Sequence, residues 1–329
     1  MTAVVEVRTT TGVCFRASPD SSLLENALKT GHVFEYSCNN GQCGVCKTRL
    51  IAGKVVELRP QTALTEEDVQ AGKVLICCCA PASDVLIDAE DLSALRDIEI
   101  KTLPARINSI VHRTRHIVEV NLRLPPAADF RFLEGQYVDV IGPGGVRRSY
   151  SLANSADEKV LKFYIREREN GVLSRYWFHE AKENDLLRIE GPKGSFFLRE
   201  MKRYVVFLAT GTGIAPIKAM LDRLDRQGRP VDDVTLSLYW GNRHPEEFFW
   251  KPEYSNIRVN YVPVLSRPHA DWNGRKGYVQ DALLEDMPDM EACRVYACGS
   301  LEMIRSVSRL LVERGLKKRC FHSDAFVSS

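Results

Sequence analysis

Three cysteines within nine positions, Cys38, Cys43 and Cys46 in the stretch YSCNNGQCGVC, constrain this chain more than any other feature. A CxxxxCxxC spacing completed by a distant fourth cysteine is the arrangement that ligates a [2Fe–2S] cluster. Four thiolates around two irons and two sulfides carry net negative charge that grows on reduction, so the enclosing loop must bring backbone N–H groups close to sulfur. Gly41 and Gly44 allow that approach and tolerate positive φ. Zinc sites favour shorter ligand spacings, and inert buried thiols are the weaker reading of three cysteines so placed. The fourth ligand has to come from Cys77-Cys78-Cys79 or from Cys14.

Ten cysteines in 329 residues would suit a disulfide scaffold only in a short secreted chain. The start MTAVVEVRTT lacks a basic segment followed by an apolar one, so no secretory signal is expected. No apolar run is long enough to span a bilayer. These features predict a cytoplasmic protein without membrane partners, in which clustered cysteines serve metal or redox chemistry. A formal charge of +2 argues against a nucleic-acid binder. Residues 1–93 carry a net charge of −4 and the remainder +6, which predicts an acidic small module on a mildly basic body.

The text predicts three domains, at 1–93, 102–200 and 201–329. In the first, alternation around Val5, Val7, Val13 and Phe15 reads as a hairpin. Ser22 to Glu25 forms a capping box for a helix that Gly31 can close, and DVLID (Asp84–Asp88) supplies a further strand. From Ala105 to about Glu200 short strands recur (ARINSIV, HIVEVNLRL, QYVDVIG, LKFYIRE, DLLRIEG), a pattern that suggests a small antiparallel barrel. Thereafter strands YVVFLAT, VTLSLYWG, RVNYVPVLS and RVYACGS alternate with helices at Ile214–Arg226, Val279–Glu285 and Leu301–Arg314, the rhythm of a doubly wound α/β domain.

The segment around Cys77 resembles the plant-type ferredoxins, whose last ligand follows a VLxC pattern and precedes a proline and an SD pair. VLIC, Pro81 and Ser83-Asp84 then place the fourth ligand at Cys77 rather than Cys78. Arg148-Ser149-Tyr150-Ser151 resembles the RxYS motif of the ferredoxin–NADP reductase family. There Tyr150 would stack on the flavin ring, Ser151 would hydrogen-bond near flavin N5, and Arg148 would neutralise the pyrophosphate. Tyr164-Ile165-Arg166 and Gly171-Val172-Leu173-Ser174 follow where that family has a flavin-contacting strand and a glycine-led phosphate turn. Thr210-Gly211-Thr212-Gly213-Ile214-Ala215-Pro216 lies between a strand and a helix and suits a pyrophosphate, with proline replacing the third glycine of the usual fingerprint. Cys298-Gly299 ends a later strand, and the family places such a cysteine beside the nicotinamide. Ser266 and Arg267 would meet the adenosine end. The histidines show no paired spacing, and His322 reads as structural.

End to end, the chain resembles the CDP-6-deoxy-Δ3,4-glucoseen reductase family, through RSYSLAN, GPKGSFF, ATGTGIAP, YACGSL and the closing SDAFV (Ser323–Val327). That resemblance implies an α+β and α/β multidomain fold: a β-grasp ferredoxin domain, an antiparallel FAD-binding β-barrel and a doubly wound nucleotide-binding domain. It implies FAD, a [2Fe–2S] cluster and NADH, with NADPH possible in principle. The partner it implies is an iron–sulfur, pyridoxamine-phosphate-dependent CDP-4-keto-6-deoxyglucose 3-dehydrase of deoxysugar synthesis. It also nominates Phe326 as the ring that covers the flavin until nicotinamide displaces it, against a plain core role. Two alternatives share the motifs: the reductase component of an aromatic-ring dioxygenase or di-iron monooxygenase, and a redox-sensing or carrier protein with little turnover.

Overall fold

The computed structural model describes residues 4–169, 171–228, 233–286 and 289–326. The chain divides into two compact units, one running to Glu99 and taking in Gly194–Phe196, the other made of Ile100–Lys193 and Phe197–Phe326.

The first unit contains β1 (Val5–Thr9), β2 (Cys14–Ala17), α1 (Leu23–Lys29), β3 (Lys47–Ala52), β4 (Val55–Glu57), α2 (Glu66–Gln70), β5 (Lys73–Leu75), β6 (Cys79–Pro81) and β7 (Val85–Ile87). Its main sheet has the order β2-β1-β7-β3-β5, with β1 and β7 parallel, and β4 pairs with β6. The expected hairpin is present as an antiparallel β1/β2 pair. Helix α1 starts at the expected capping box: Ser22 Oγ accepts from Glu25 N and the Glu25 carboxylate accepts from Ser22 N. It buries Leu23, Leu24 and Ala27 completely. Gly31 follows its end at φ +80°, the left-handed geometry that stops a helix. Helix α2, which the sequence reading left unassigned, is a single capped turn in which the Asp68 carboxylate also receives Lys47 and Lys73.

The second unit opens with an antiparallel sheet made of β8 (Lys101–Thr114), β9 (Ile117–Arg123), β10 (Tyr137–Ile141), β11 (Arg147–Ser151), β12 (Val160–Arg166) and β13 (Leu186–Lys193), in the order β11-β10-β13-β8-β9-β12. A barrel would need a ladder between the end strands β11 and β12, and no such ladder occurs among the described residues. Side chains from both edges stand there instead: the rings of Tyr150 and Phe163 lie 6.0 Å apart and belong to one packed core with Val138, Leu161 and Trp177. Between β12 and β13 lie α3 (Val172–Arg175) and a wider helical turn at Tyr176–Glu180.

The C-terminal sheet contains β14 (Tyr204–Thr210), β15 (Thr235–Asn242), β16 (Val259–Leu265), β17 (Arg275–Lys276), β18 (Cys293–Ser300) and β19 (Phe321–Phe326), all parallel, in the order β17-β16-β15-β14-β18-β19. Helices α4 (Ile214–Gln227), α5 (Val279–Asp286) and α6 (Leu301–Glu313) pack on it. The chain starts in the middle at β14, runs outward to β17 and returns to the other side at β18. Such a reversal leaves a crevice at the carboxyl ends of the two central strands. The turn after β14 lies close against the end of β18: a Cβ on Gly213 would overlap the Cys298 carbonyl oxygen and come within 3.0 Å of Gly299 Cα. The obstacle is backbone and cannot swing away. Gly213→Ala is expected to destabilise the protein by about 1–3 kcal/mol, read as a lower urea midpoint; an unchanged midpoint would refute this contact as a packing constraint.

Candidate functional site

The thiols of the first unit come together in pairs. Cys43 N donates to Cys38 Sγ at 3.3 Å, and Cys46 Sγ lies 3.3 Å from Cys77 Sγ. Tetrahedral sulfur ligands about 2.3 Å from one metal stand roughly 3.8 Å apart, so the Cys46–Cys77 spacing is close to that of two ligands on one iron. The Cys38 thiol is pulled down to about 5 by its hydrogen bond with the Cys43 thiol, and the N–H groups of Asn40, Cys43 and Gln42 add to this against the effect of burial. Hydrogen bonding to Cys38 and burial push Cys43 the opposite way. Among the described residues no three His, Cys, Asp or Glu side chains converge as they would on a single ion. A pair of thiols per iron is what a two-iron cluster asks for, and a mononuclear tetrahedral site is not.

The loop is shaped for this. Gly41 and Gly44 sit at φ +82° and +78°. A Cβ on Gly41 would overlap Pro60 O and stand 2.8 Å from Cys78 Sγ. Gly41 O in turn accepts from Ala63 N and Thr62 Oγ1, and Arg59 donates to Asn39 O, so the 59–63 segment clamps the loop from outside. Cys14 is exposed and faces Arg8 in the β1/β2 ladder. Cys79 is buried in β6, where burial and the nearby Glu57 charge push its thiol up to about 12.

In the antiparallel sheet, Arg147 is taken up by Asp139 and Glu190, while Arg148 bonds to the Arg147 carbonyl. Tyr150 accepts from Trp177 Nε1 at 3.1 Å, with the Trp177 ring edge-on, so its orientation is fixed. Gly171 precedes α3 without a side-chain cap; a Cβ there would crowd Ser174 and Arg168. Ser174 Oγ accepts from Arg168 N at 2.7 Å, Leu173 is in the core, and Val172 is exposed. Ile165 is also a core residue, which leaves only its backbone for a ligand. Tyr164 and Arg166 turn elsewhere: Tyr164 packs edge-on against Phe249 at 4.8 Å, and Arg166 pairs with Glu247 at 2.6 Å beside Gly211. The geometry therefore associates Arg166 with the turn after β14 rather than with Arg148 and Tyr150.

The C-terminal edge of the parallel sheet gathers the remaining groups. Gly211 has φ +54° and its carbonyl accepts from Trp240 Nε1. Thr210 Oγ1 accepts from Ser300 N at 3.4 Å and would be struck by a Cβ on Gly299. Pro216 is buried in the first turn of α4. Cys298 is wholly buried, and its thiol is raised by that burial and by the nearby Asp324 charge. Strand β19 places Asp324 opposite Cys298 and Phe326 opposite Ser300. Ser151 Oγ donates to Asp324 Oδ2 at 3.2 Å in a buried contact, so Ser151, Asp324 and Cys298 form one constellation. Sequence reading quoted Asp324 within SDAFV but gave it no role. Only strand register could reveal it, because it lies 173 residues from Ser151. Phe326 is 36% exposed on an edge strand, unlike a core residue.

At the other end of the crevice Ser266 N donates to Asn242 O, and Arg267 is exposed. Both side-chain polar atoms of Asn242, together with Gln280 Oε1 at the start of α5, are buried without a hydrogen-bond partner. Buried amides of that kind are costly unless something completes them. A polar ligand end could do so, and sequence inspection gave no signal for either residue.

Three sequence-family profiles match the chain: the 2Fe-2S iron-sulfur cluster binding domain at residues 7–82, the oxidoreductase FAD-binding domain at 104–198 and the oxidoreductase NAD-binding domain at 207–309. The CDP-6-deoxy-L-threo-D-glycero-4-hexulose-3-dehydrase reductase of Yersinia pestis is 41% identical over 97% of this chain and 97% of its own length. Reductase component 1 of terephthalate 1,2-dioxygenase from a Comamonas species is 30% identical over 96% of this chain and 95% of its own. Among solved structures, the cytochrome P450 reductase GcoB of Amycolatopsis superposes with a TM-score of 0.75 at 28% identity, covering 98% of this chain and 99% of that one. The chain therefore belongs to the CDP-6-deoxy-Δ3,4-glucoseen reductase family, within the ferredoxin–NADP reductase superfamily and with an N-terminal 2Fe-2S domain.

Proposed function

We propose that this reductase carries electrons from NAD(P)H through FAD and a [2Fe–2S] cluster to a CDP-4-keto-6-deoxyglucose 3-dehydrase. The observation that carries the choice of partner is the end-to-end likeness to the Yersinia reductase. The working division is a β-grasp ferredoxin domain at 1–93, an FAD-binding domain built on the open antiparallel sheet at 102–200 and a nucleotide domain at 201–329. Its ten unpaired cysteines suit a reducing cytoplasm.

A flavin exchanges a hydride with nicotinamide and gives electrons up singly, which is the conversion a one-electron cluster needs. The chain's own groups serve that exchange. Cys38, Cys43, Cys46 and Cys77 would supply the cluster's four thiolates. Arg148 and the Gly171–Ser174 turn take the flavin pyrophosphate, and Tyr150, fixed by Trp177, supplies a ring face. Thr210, Gly211, Gly213 and Pro216 line the nicotinamide nucleotide's pyrophosphate turn, where Arg166 stands ready to leave Glu247 for phosphate. Ser266 and Arg267 meet the adenosine end, so NADH is accepted and NADPH tolerated. Cys298 and Gly299 would border a bound nicotinamide, Phe326 would cover the site in its absence, and Asp324 accepts from and so orients the Ser151 hydroxyl.

A reductase serving an oxygenase is the second reading, favoured by the 30% likeness to the terephthalate dioxygenase component. Anaerobic purification with ultraviolet–visible spectroscopy, iron, sulfide and flavin analysis tests the cofactors. NADH-driven reduction of a purified sugar dehydrase, against an oxygenase component, tests the partner. Rapid NADH–ferricyanide turnover would exclude a sensor.

Cys43→Ala should abolish the cluster spectrum and cytochrome c reduction while NADH–ferricyanide activity stays; equal loss of both would contradict a modular path. Ser151→Ala should slow stopped-flow flavin reduction by about ten- to a hundredfold, the cost of a hydrogen bond of about 1.5–3 kcal/mol, with little change in NADH affinity. If Asp324 acts through Ser151, Ser151→Ala/Asp324→Asn should be no slower than the worse single variant. Additive losses would separate the two residues.

A further inference from the structure

Cys78 has no place in the four-thiol set, yet it is built into the same site. Cys77 and Cys78 are both fully buried, and their Sγ atoms lie 3.5 Å apart. The turn responsible is closed by Cys78 N donating to Leu75 O at 2.8 Å. Cys78 Sγ is aimed at the ligand loop: it occupies the space beside Gly41 and, besides its contact with Cys77 Sγ, donates to Pro60 O across a long 3.7 Å. Cys79 differs, since it lies in the β4/β6 ladder opposite Glu57. Cys78 Sγ thus sits at nearly the spacing from Cys77 Sγ that separates Cys46 from Cys77, and its hydrogen bond to the Pro60 carbonyl is long.

We propose that Cys78 is a reserve ligand for the iron held by Cys46 and Cys77. When Cys77 sulfur is lost, Cys78 turns from Pro60 O and forms the replacement Fe–S bond, giving its thiol proton to solvent. The iron's oxidation state does not change, and no oxidant or reductant is required. The proposal rests on the cluster reading above.

The test uses anaerobically purified full-length protein: wild type, Cys77→Ala, Cys78→Ala and Cys77→Ala/Cys78→Ala, with iron and acid-labile sulfide per chain and the EPR spectrum after dithionite reduction. Alanine is chosen because a serine oxygen can itself bind iron. Expected are near-normal cluster content in Cys78→Ala, at least about half in Cys77→Ala with shifted EPR g-values, and less than about a tenth in the double variant. Cys77→Gly, which also offers iron no side-chain atom, provides a second background should alanine disturb the turn, and FAD content reports whether the rest of the chain is folded. If Cys77→Ala and Cys77→Gly are both as empty as the double variant, the proposal fails. It also fails if Cys78→Ala is empty while Cys77→Ala is full, because Cys78 would then be the resident ligand. A wild type without cluster would instead refute the cluster reading itself.

Discussion

The register of the C-terminal parallel sheet decides where the reacting groups can stand. Ala209 faces Cys298 across β14/β18, Cys298 faces Asp324 across β18/β19, and Ser300 faces Phe326. Because side chains alternate along a strand, a slip of one residue would turn Asp324 and Phe326 to the wrong side together. Two glycines admit the close approach at the ends of the central strands. Gly213 and Gly299 let the turn after β14 lie directly on the end of β18, where a Cβ on either would overlap a neighbour.

The parts of this protein legible in its sequence were those written in local chemistry. Strand β14 spans the YVVFLAT run, α1 begins at its capping box, and Ser300 caps α6 by accepting from Met303 N. The cysteine spacing pointed to the loop whose thiols come together in pairs. What was illegible depended on distant partners. Helix α2 is a five-residue turn stabilised by Lys47 and Lys73, so its own periodicity is too short to read. The open edge between β11 and β12 depends on how Tyr150 and Phe163 share a core, which strand counting cannot supply. Its place in the strand groups Arg166 with Tyr164 and Ile165, whereas its side chain meets Glu247 and Gly211, partners that are far off in the sequence.

A purely structural role for Asp324 has to meet the cost of its position. A carboxylate that is 5% exposed beside a fully buried thiol loses most of its hydration, and the site tolerates this only if hydrogen bonds replace the lost water. The Ser151 hydroxyl is one such bond. An apolar residue at this position would pack without that cost, as buried polar groups generally can be replaced by well-packed hydrophobic ones. What an apolar residue could not do is hold the Ser151 hydroxyl in a set direction at the strand end where flavin chemistry is expected. The carboxylate is thus better explained by the serine it orients than by the sheet it closes. Cys298 shares that dry space, where burial and the nearby carboxylate both disfavour ionisation of its thiol.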